Sequence, residues 1–142
     1  MALKQTNKSC VISVCLQLTV EAVIGGSVVL PCSSAEHDLK IQDINVHWRH
    51  NGSKIVFDII PHSNSPVTQD PEYKNRTETF PQEYLRGNFS IKLNHLQHTD
   101  AGQYICYITH SSKYQTKTAR MNVCFPYQKV VYFKFILVSI LK

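Results

Sequence analysis

The sequence predicts an all-β protein, a sandwich of two antiparallel sheets, and three observations lead there. Over short runs, apolar residues recur at every second position, the period of a strand with one buried face. Turn-forming Gly, Pro, Asn and Asp separate these runs at short intervals. No stretch of consequence carries the repeat of an amphipathic helix. At 142 residues, one domain with a core of ordinary size is expected.

The elements follow in order. Met1 to Val20 supports two readings. Lys4 and Lys8 precede the apolar run Cys10 to Leu16, as in a short secretory signal, whereas Leu16 to Val23 alternates like a first strand. A signal cleaved near Cys15 satisfies both, giving a signal segment over 1–15, a domain over 16–124 and a linker with a short apolar tail over 125–142. After Gly25-Gly26, Val28, Leu30 and Cys32 share one strand face, and Val46 and Trp48 share another. Asn51-Gly52 is a two-residue hairpin signal leading into Lys54 to Ile59. Pro61 to Lys74 is polar and contains proline, so it reads as loop with room for an edge strand. Arg76 to Phe80 is a short strand. Phe89, Ile91 and Leu93 alternate with Ser90, Lys92 and Asn94, and Leu96 closes the core before a turn at Thr99 to Gly102. Tyr104, Cys106 and Ile108 face inward on the next strand. After a loop at His110 to Lys113, Ala119, Met121 and Val123 form the inner face of the last. The tail Val130 to Leu141 is apolar but short for a membrane span, which needs roughly 20 residues, and Lys134 interrupts it.

Composition excludes several functions. The formal net charge is +5, but the cations are scattered without a basic run, which argues against nucleic acid as a partner. His47 and His50, and His95 and His98, are spaced three apart in segments that do not read as helices, so no metal site is expected. There is no Gly-x-Ser-x-Gly, phosphate loop or His-Glu-x-x-His, and nothing orders a nucleophile with a base. Neither enzyme activity, cofactor nor small-molecule substrate is expected.

Cys32, Trp48 and the run Asp100-Ala101-Gly102-Gln103-Tyr104-Ile105-Cys106 together resemble the signature of an immunoglobulin domain. That resemblance implies a Cys32–Cys106 disulfide between the sheets, with Trp48 packed on it. It also implies a Tyr104 hydroxyl turned back to the turn backbone, and it places the chain in an oxidising compartment. Cys10, Cys15 and Cys124 remain, and their pairing is open. The separation of the two cysteines, with room for an extra hairpin after Trp48, favours the variable (V-set) type.

Val23 to Cys32, Tyr73-Lys74-Asn75-Arg76-Thr77 and Gly87-Asn88-Phe89-Ser90-Ile91, taken with Asp100 to Cys106, resemble the butyrophilin-like family of costimulatory and coinhibitory ligands. Phe125-Pro126-Tyr127 is similar to the linker to that family's second domain. The segment Tyr114 to Thr118 lacks the Phe-Gly-x-Gly of antigen-receptor variable domains. The resemblance implies a ligand on the extracellular side of the plasma membrane, or secreted, that binds a protein receptor on T cells or other leukocytes and modulates T-cell activation. Homophilic adhesion, or a truncated product without a signalling role, are the alternatives. It also implies that Arg76 and Asp100 form an ion pair closing one end of the sandwich.

Family ligands are expected to bind through the sheet that contains the Trp48 and Cys106 strands. Parity then nominates the outward residues: His47, Arg49, Ile105, Tyr107 and Thr109, with Thr116, Thr118 and Arg120 from the last strand. Exposed Tyr, Ile and Arg are what interface centres favour. Asn51, Asn75 and Asn88 each begin a glycan acceptor motif. In the sandwich, Asn88 stands outward on the opposite sheet, Asn75 borders it and Asn51 sits on a hairpin tip, so glycans would shield one face and leave the Tyr107 face open.

Overall fold

The computed structural model describes residues 17–36, 39–63, 68–111 and 113–126. The signal segment, Cys10, Cys15 and the tail beyond Pro126 lie outside the described residues. Eight strands are formed: β1 (Leu18–Val23), β2 (Val28–Leu30), β3 (Ile44–His50), β4 (Lys54–Ile59), β5 (Thr77–Thr79), β6 (Ile91–Leu93), β7 (Gly102–His110) and β8 (Lys113–Cys124). They build a five-stranded sheet in the order β1-β8-β7-β3-β4 and a three-stranded sheet in the order β2-β6-β5. All pairings are antiparallel except β1 with β8, which run parallel.

The inner faces of both sheets meet in one core. Leu30, Cys32, Val46, Trp48, Phe89, Ile91, Leu93, Leu96, Tyr104, Cys106, Ile108, Ala119 and Met121 are all buried there, as the alternation requires. Cys32 and Cys106 are joined across a sequence separation of 74, with Cα atoms 6.3 Å apart. Trp48 Nε1–H donates to the Phe89 carbonyl at 3.0 Å, so the buried indole has its polar atom satisfied across the sandwich. The Tyr104 hydroxyl donates to the Asp100 carbonyl at 2.7 Å, pinning the turn that feeds β7.

Four local expectations are corrected. The Asn51-Gly52 connection spans three residues, 51–53, because His50 pairs with Lys54. Asn51 and Gly52 both have positive φ, 48° and 85°, the hairpin-turn conformation that residue pair favours. The register also slips between Trp48 and Arg49, which face Phe57 and Ile55. Val56 is left without a partner and turns into the core, as a β-bulge permits. In the polar stretch before β5, the described residues form no strand; a 3-10 turn at Pro71–Tyr73 instead buries Tyr73. The loop read at His110 to Lys113 is tighter, since His110 and Lys113 already pair. Ser90 precedes β6 and is buried, its hydroxyl accepting from Cys32 N–H at 3.1 Å and donating to Asn88 Oδ1 at 2.6 Å.

The turn into β7 depends on Gly102. Its φ is +137°, and an added Cβ would lie against Asn51 Oδ1 and 2.8 Å from His50 Nε2. Gly102→Ala is therefore expected to destabilise the fold by about 2 kcal/mol or more, read as a lower urea midpoint.

Candidate functional site

The outer face of the five-stranded sheet gathers the residues that parity nominates. Strand register sets them in rows. Asp58, His47, Tyr107 and Thr116 lie across β4, β3, β7 and β8, and Ile55, Arg49, Ile105 and Thr118 form the row beside it. Asn45, Thr109 and Tyr114 continue on one side, while Gln103 and Arg120 continue on the other. His47, Arg49, Ile105, Tyr107, Thr109 and Thr118 are half-buried by their neighbours, and Thr116 and Arg120 are exposed. All eight nominated residues therefore share one surface.

Two features of that surface are absent from the sequence reading. The first is Asp58. Arg49 Nη1 donates to its Oδ1 at 2.5 Å and Nη2 to its Oδ2 at 3.4 Å, while a further bond from Nη1 reaches the Trp48 carbonyl at 2.9 Å. His47 Nδ1 lies 3.0 Å from the same Asp58 Oδ1. A carboxylate here can only accept, so Nδ1 carries a hydrogen. The Arg49 guanidinium is thus neutralised within the face instead of being a free cation. The second feature is Tyr114, whose side of β8 is shared with Thr116, Thr118 and Arg120. It is 60% exposed, and its ring lies 6.0 Å from that of Tyr107, tilted by 34°. This pair is the most exposed aromatic surface on the sheet, and Tyr is a residue type enriched at interface centres.

At one end of the face, Glu36 accepts from Lys113 at 2.8 Å and lies 3.3 Å from His110 Nδ1. The hydrogen bond from Lys113 holds the Glu36 carboxyl below its ordinary pKa. At the opposite end of the sandwich, Arg76 and Asp100 make a two-pronged pair, Nη2 to Oδ1 at 2.6 Å and Nη1 to Oδ2 at 2.8 Å. Both groups are buried, and the Asp100 partner raises the Arg76 pKa further.

The three acceptor asparagines occupy different settings. Asn75 is exposed in a left-handed turn just before β5. Asn51 is exposed beside β7, its Oδ1 accepting from Gln103 N–H at 3.1 Å. Asn88 is half-buried, bridged to Ser33, with its Oδ1 taken by the Ser90 N–H and hydroxyl. Among the described residues no group of three or more His, Cys, Asp or Glu could hold a metal ion, and no helix is long and apolar enough to cross a membrane.

The immunoglobulin V-set domain model matches residues 16–124. Human V-set domain-containing T-cell activation inhibitor 1 is 35% identical over 86 residues, covering 60% of this chain and 30% of that protein. Human ICOS ligand is 32% identical over 95 residues, covering 66% of this chain and 32% of that protein. The crystal structure of the human B7-H4 IgV-like domain superposes with a TM-score of 0.65 at 30% identity, covering 72% of this chain and 90% of that one. The chain thus spans about a third of the length of these curated relatives.

Proposed function

Since the chain belongs to the immunoglobulin V-set family, we propose that it is an extracellular immune ligand. In this reading the β1-β8-β7-β3-β4 face binds a protein receptor on T cells or other leukocytes and modulates T-cell activation. The observation that carries the reading is its likeness, across the V-set domain, to two relatives, one named as a T-cell activation inhibitor and the other as the ligand of ICOS. The surface chemistry supports it: exposed Tyr114 against half-buried Tyr107, beside Ile105 and with the Arg49 charge internally compensated, offers apolar contact at little desolvation expense. A glycan at Asn75 would leave this face open, because Asn75 precedes β5, an edge strand of the other sheet.

One observation favours a second reading. With Arg49 paired to Asp58, the charge at the middle of the face would not set two copies of it against each other, so homophilic adhesion is chemically feasible. A screen of the full chain against leukocyte receptor ectodomains, with sedimentation of the chain alone, separates the two. Receptor binding accompanied by altered T-cell proliferation, from a chain that stays monomeric, supports the ligand. Concentration-dependent self-association without a receptor supports adhesion and overturns the ligand.

A further inference from the structure

We propose that His50 is an acid-released latch: neutral, its ring ties the end of β3 to the turn before β7 and to Tyr73, and protonated it would put an uncompensated charge into that buried site. This goes beyond the docking face and stands without it. His50 is 1% exposed, and both ring nitrogens are engaged. The Ala101 carbonyl, 3.1 Å from Nε2, can only accept, so Nε2 carries the hydrogen. Nδ1 is then the acceptor, and the Tyr73 hydroxyl donates to it at 2.5 Å. The ring is also stacked on Tyr104, with centroids 4.3 Å apart and planes within 10°.

A second proton would land on Nδ1 and reverse the Tyr73 bond, so that the hydroxyl oxygen accepts there and its own hydrogen must turn away. It would also place a full charge in a dry site. The surrounding ionisable groups offer it little relief. From the turn before β7, Asp100 is already bound on both oxygens by Arg76. From the Pro71–Tyr73 turn, Glu72 takes the Lys54 ammonium at 2.6 Å, and Lys54 of β4 adds positive charge. The Tyr73 hydroxyl keeps its proton, burial pushing its pKa up to about 12. From β7, Tyr104 stacks its ring on the imidazole, while its hydroxyl donates to the Asp100 carbonyl and also meets the Tyr73 side chain.

Burial, with Lys54 adding to it, accordingly holds the imidazole pKa below its ordinary value of 6.5, against the opposing pull of the Ala101 bond. The unfolded chain takes up this proton near 6.5, and the folded chain only at lower pH. The stability contributed by His50 is therefore complete above about 6.5 and is lost as pH falls from there towards the folded pKa. Because β3 and β7 also carry His47, Arg49, Ile105 and Tyr107, release of this end would loosen the face in a compartment at pH 5–6 while leaving it intact at neutral pH.

The test uses the full chain. Urea unfolding at pH values from 7.5 to 5.0 is compared between the native sequence and His50→Gln, whose amide offers a donor and an acceptor but does not titrate. The unfolding constant of the native chain is expected to rise relative to the variant as pH falls below about 6.5, by at most about tenfold per pH unit until the folded pKa is reached. Ring-nitrogen NMR of the native chain gives a second readout, expected to show a neutral Nε2–H tautomer that titrates below the ordinary imidazole range. That measurement decides alone if the variant does not fold. Parallel stability curves, or a His50 that charges in the folded protein as a free imidazole does, would overturn the latch.

Discussion

Cys106→Ser is expected to destabilise the domain by about 4 kcal/mol, enough to leave much of the chain unfolded at body temperature. The disulfide closes a loop of 74 residues, and in the chain-entropy description a loop of that length contributes about 4 kcal/mol by restricting the unfolded ensemble. Set against a total stability of roughly 5–15 kcal/mol for a domain, that is a large share. The loss would be felt throughout, because Cys106 pairs with Trp48 across β3 and with Lys117 across β8, and the bond ties this sheet to Cys32 near the end of β2. Urea titration of wild type and variant measures the difference, and a shift of less than about 1 kcal/mol would show that packing alone holds the sheets.

Asp100→Ala is expected to cost about 3–5 kcal/mol. The substitution strands the Arg76 guanidinium in a buried site without its counter-ion, left to the Glu72, Asn94 and His95 carbonyls and the face of the Tyr73 ring. It also removes the acceptor for Gln97 N–H, which Asp100 Oδ2 receives at 2.7 Å. An exposed pair behaves differently: Glu83→Ala, which breaks the surface contact with Arg86, should change stability by about 1 kcal/mol or less. Comparable losses from the two substitutions would contradict a structural role for the buried pair. Receptor binding per folded molecule should be unchanged in both, since neither residue is on the five-stranded face.

The inward and outward sides of β3, β7 and β8 were legible because a strand alternates strictly, so fixing Trp48, Cys106 and Met121 inside fixes His47, Tyr107 and Arg120 outside. The same rule applied to β4 misleads. Counting from buried Val56 would put Asp58 in the core, and only the bulge opposite Trp48 and Arg49 turns it outward to meet Arg49 and His47. Tyr114 was within reach of parity, being on the same side of β8 as Thr116, but it adjoins a stretch read as loop. Tyr73 and His50 were not legible. Each is a polar-capable residue whose burial depends on the other, through a hydrogen bond between segments 23 residues apart, and neither interrupts or extends an apolar pattern. The Arg76–Asp100 pair belongs to the same end of the sandwich, but it was anticipated through resemblance to the V-set pattern, since spacing alone could not pair two residues on separate turns.

The docking face is tested most directly by three versions of the full chain on one panel of leukocyte receptor ectodomains. These are the native sequence, Tyr107→Ala with Tyr114→Ala, and, on the outer side of the three-stranded sheet, Val29→Ala with Lys92→Ala. With all three shown to be folded, binding about tenfold weaker or more is expected for the tyrosine pair, and no change for the Val29 and Lys92 pair. Binding that survives loss of both tyrosines but falls with the Val29 and Lys92 pair would place the receptor on the opposite side of the sandwich.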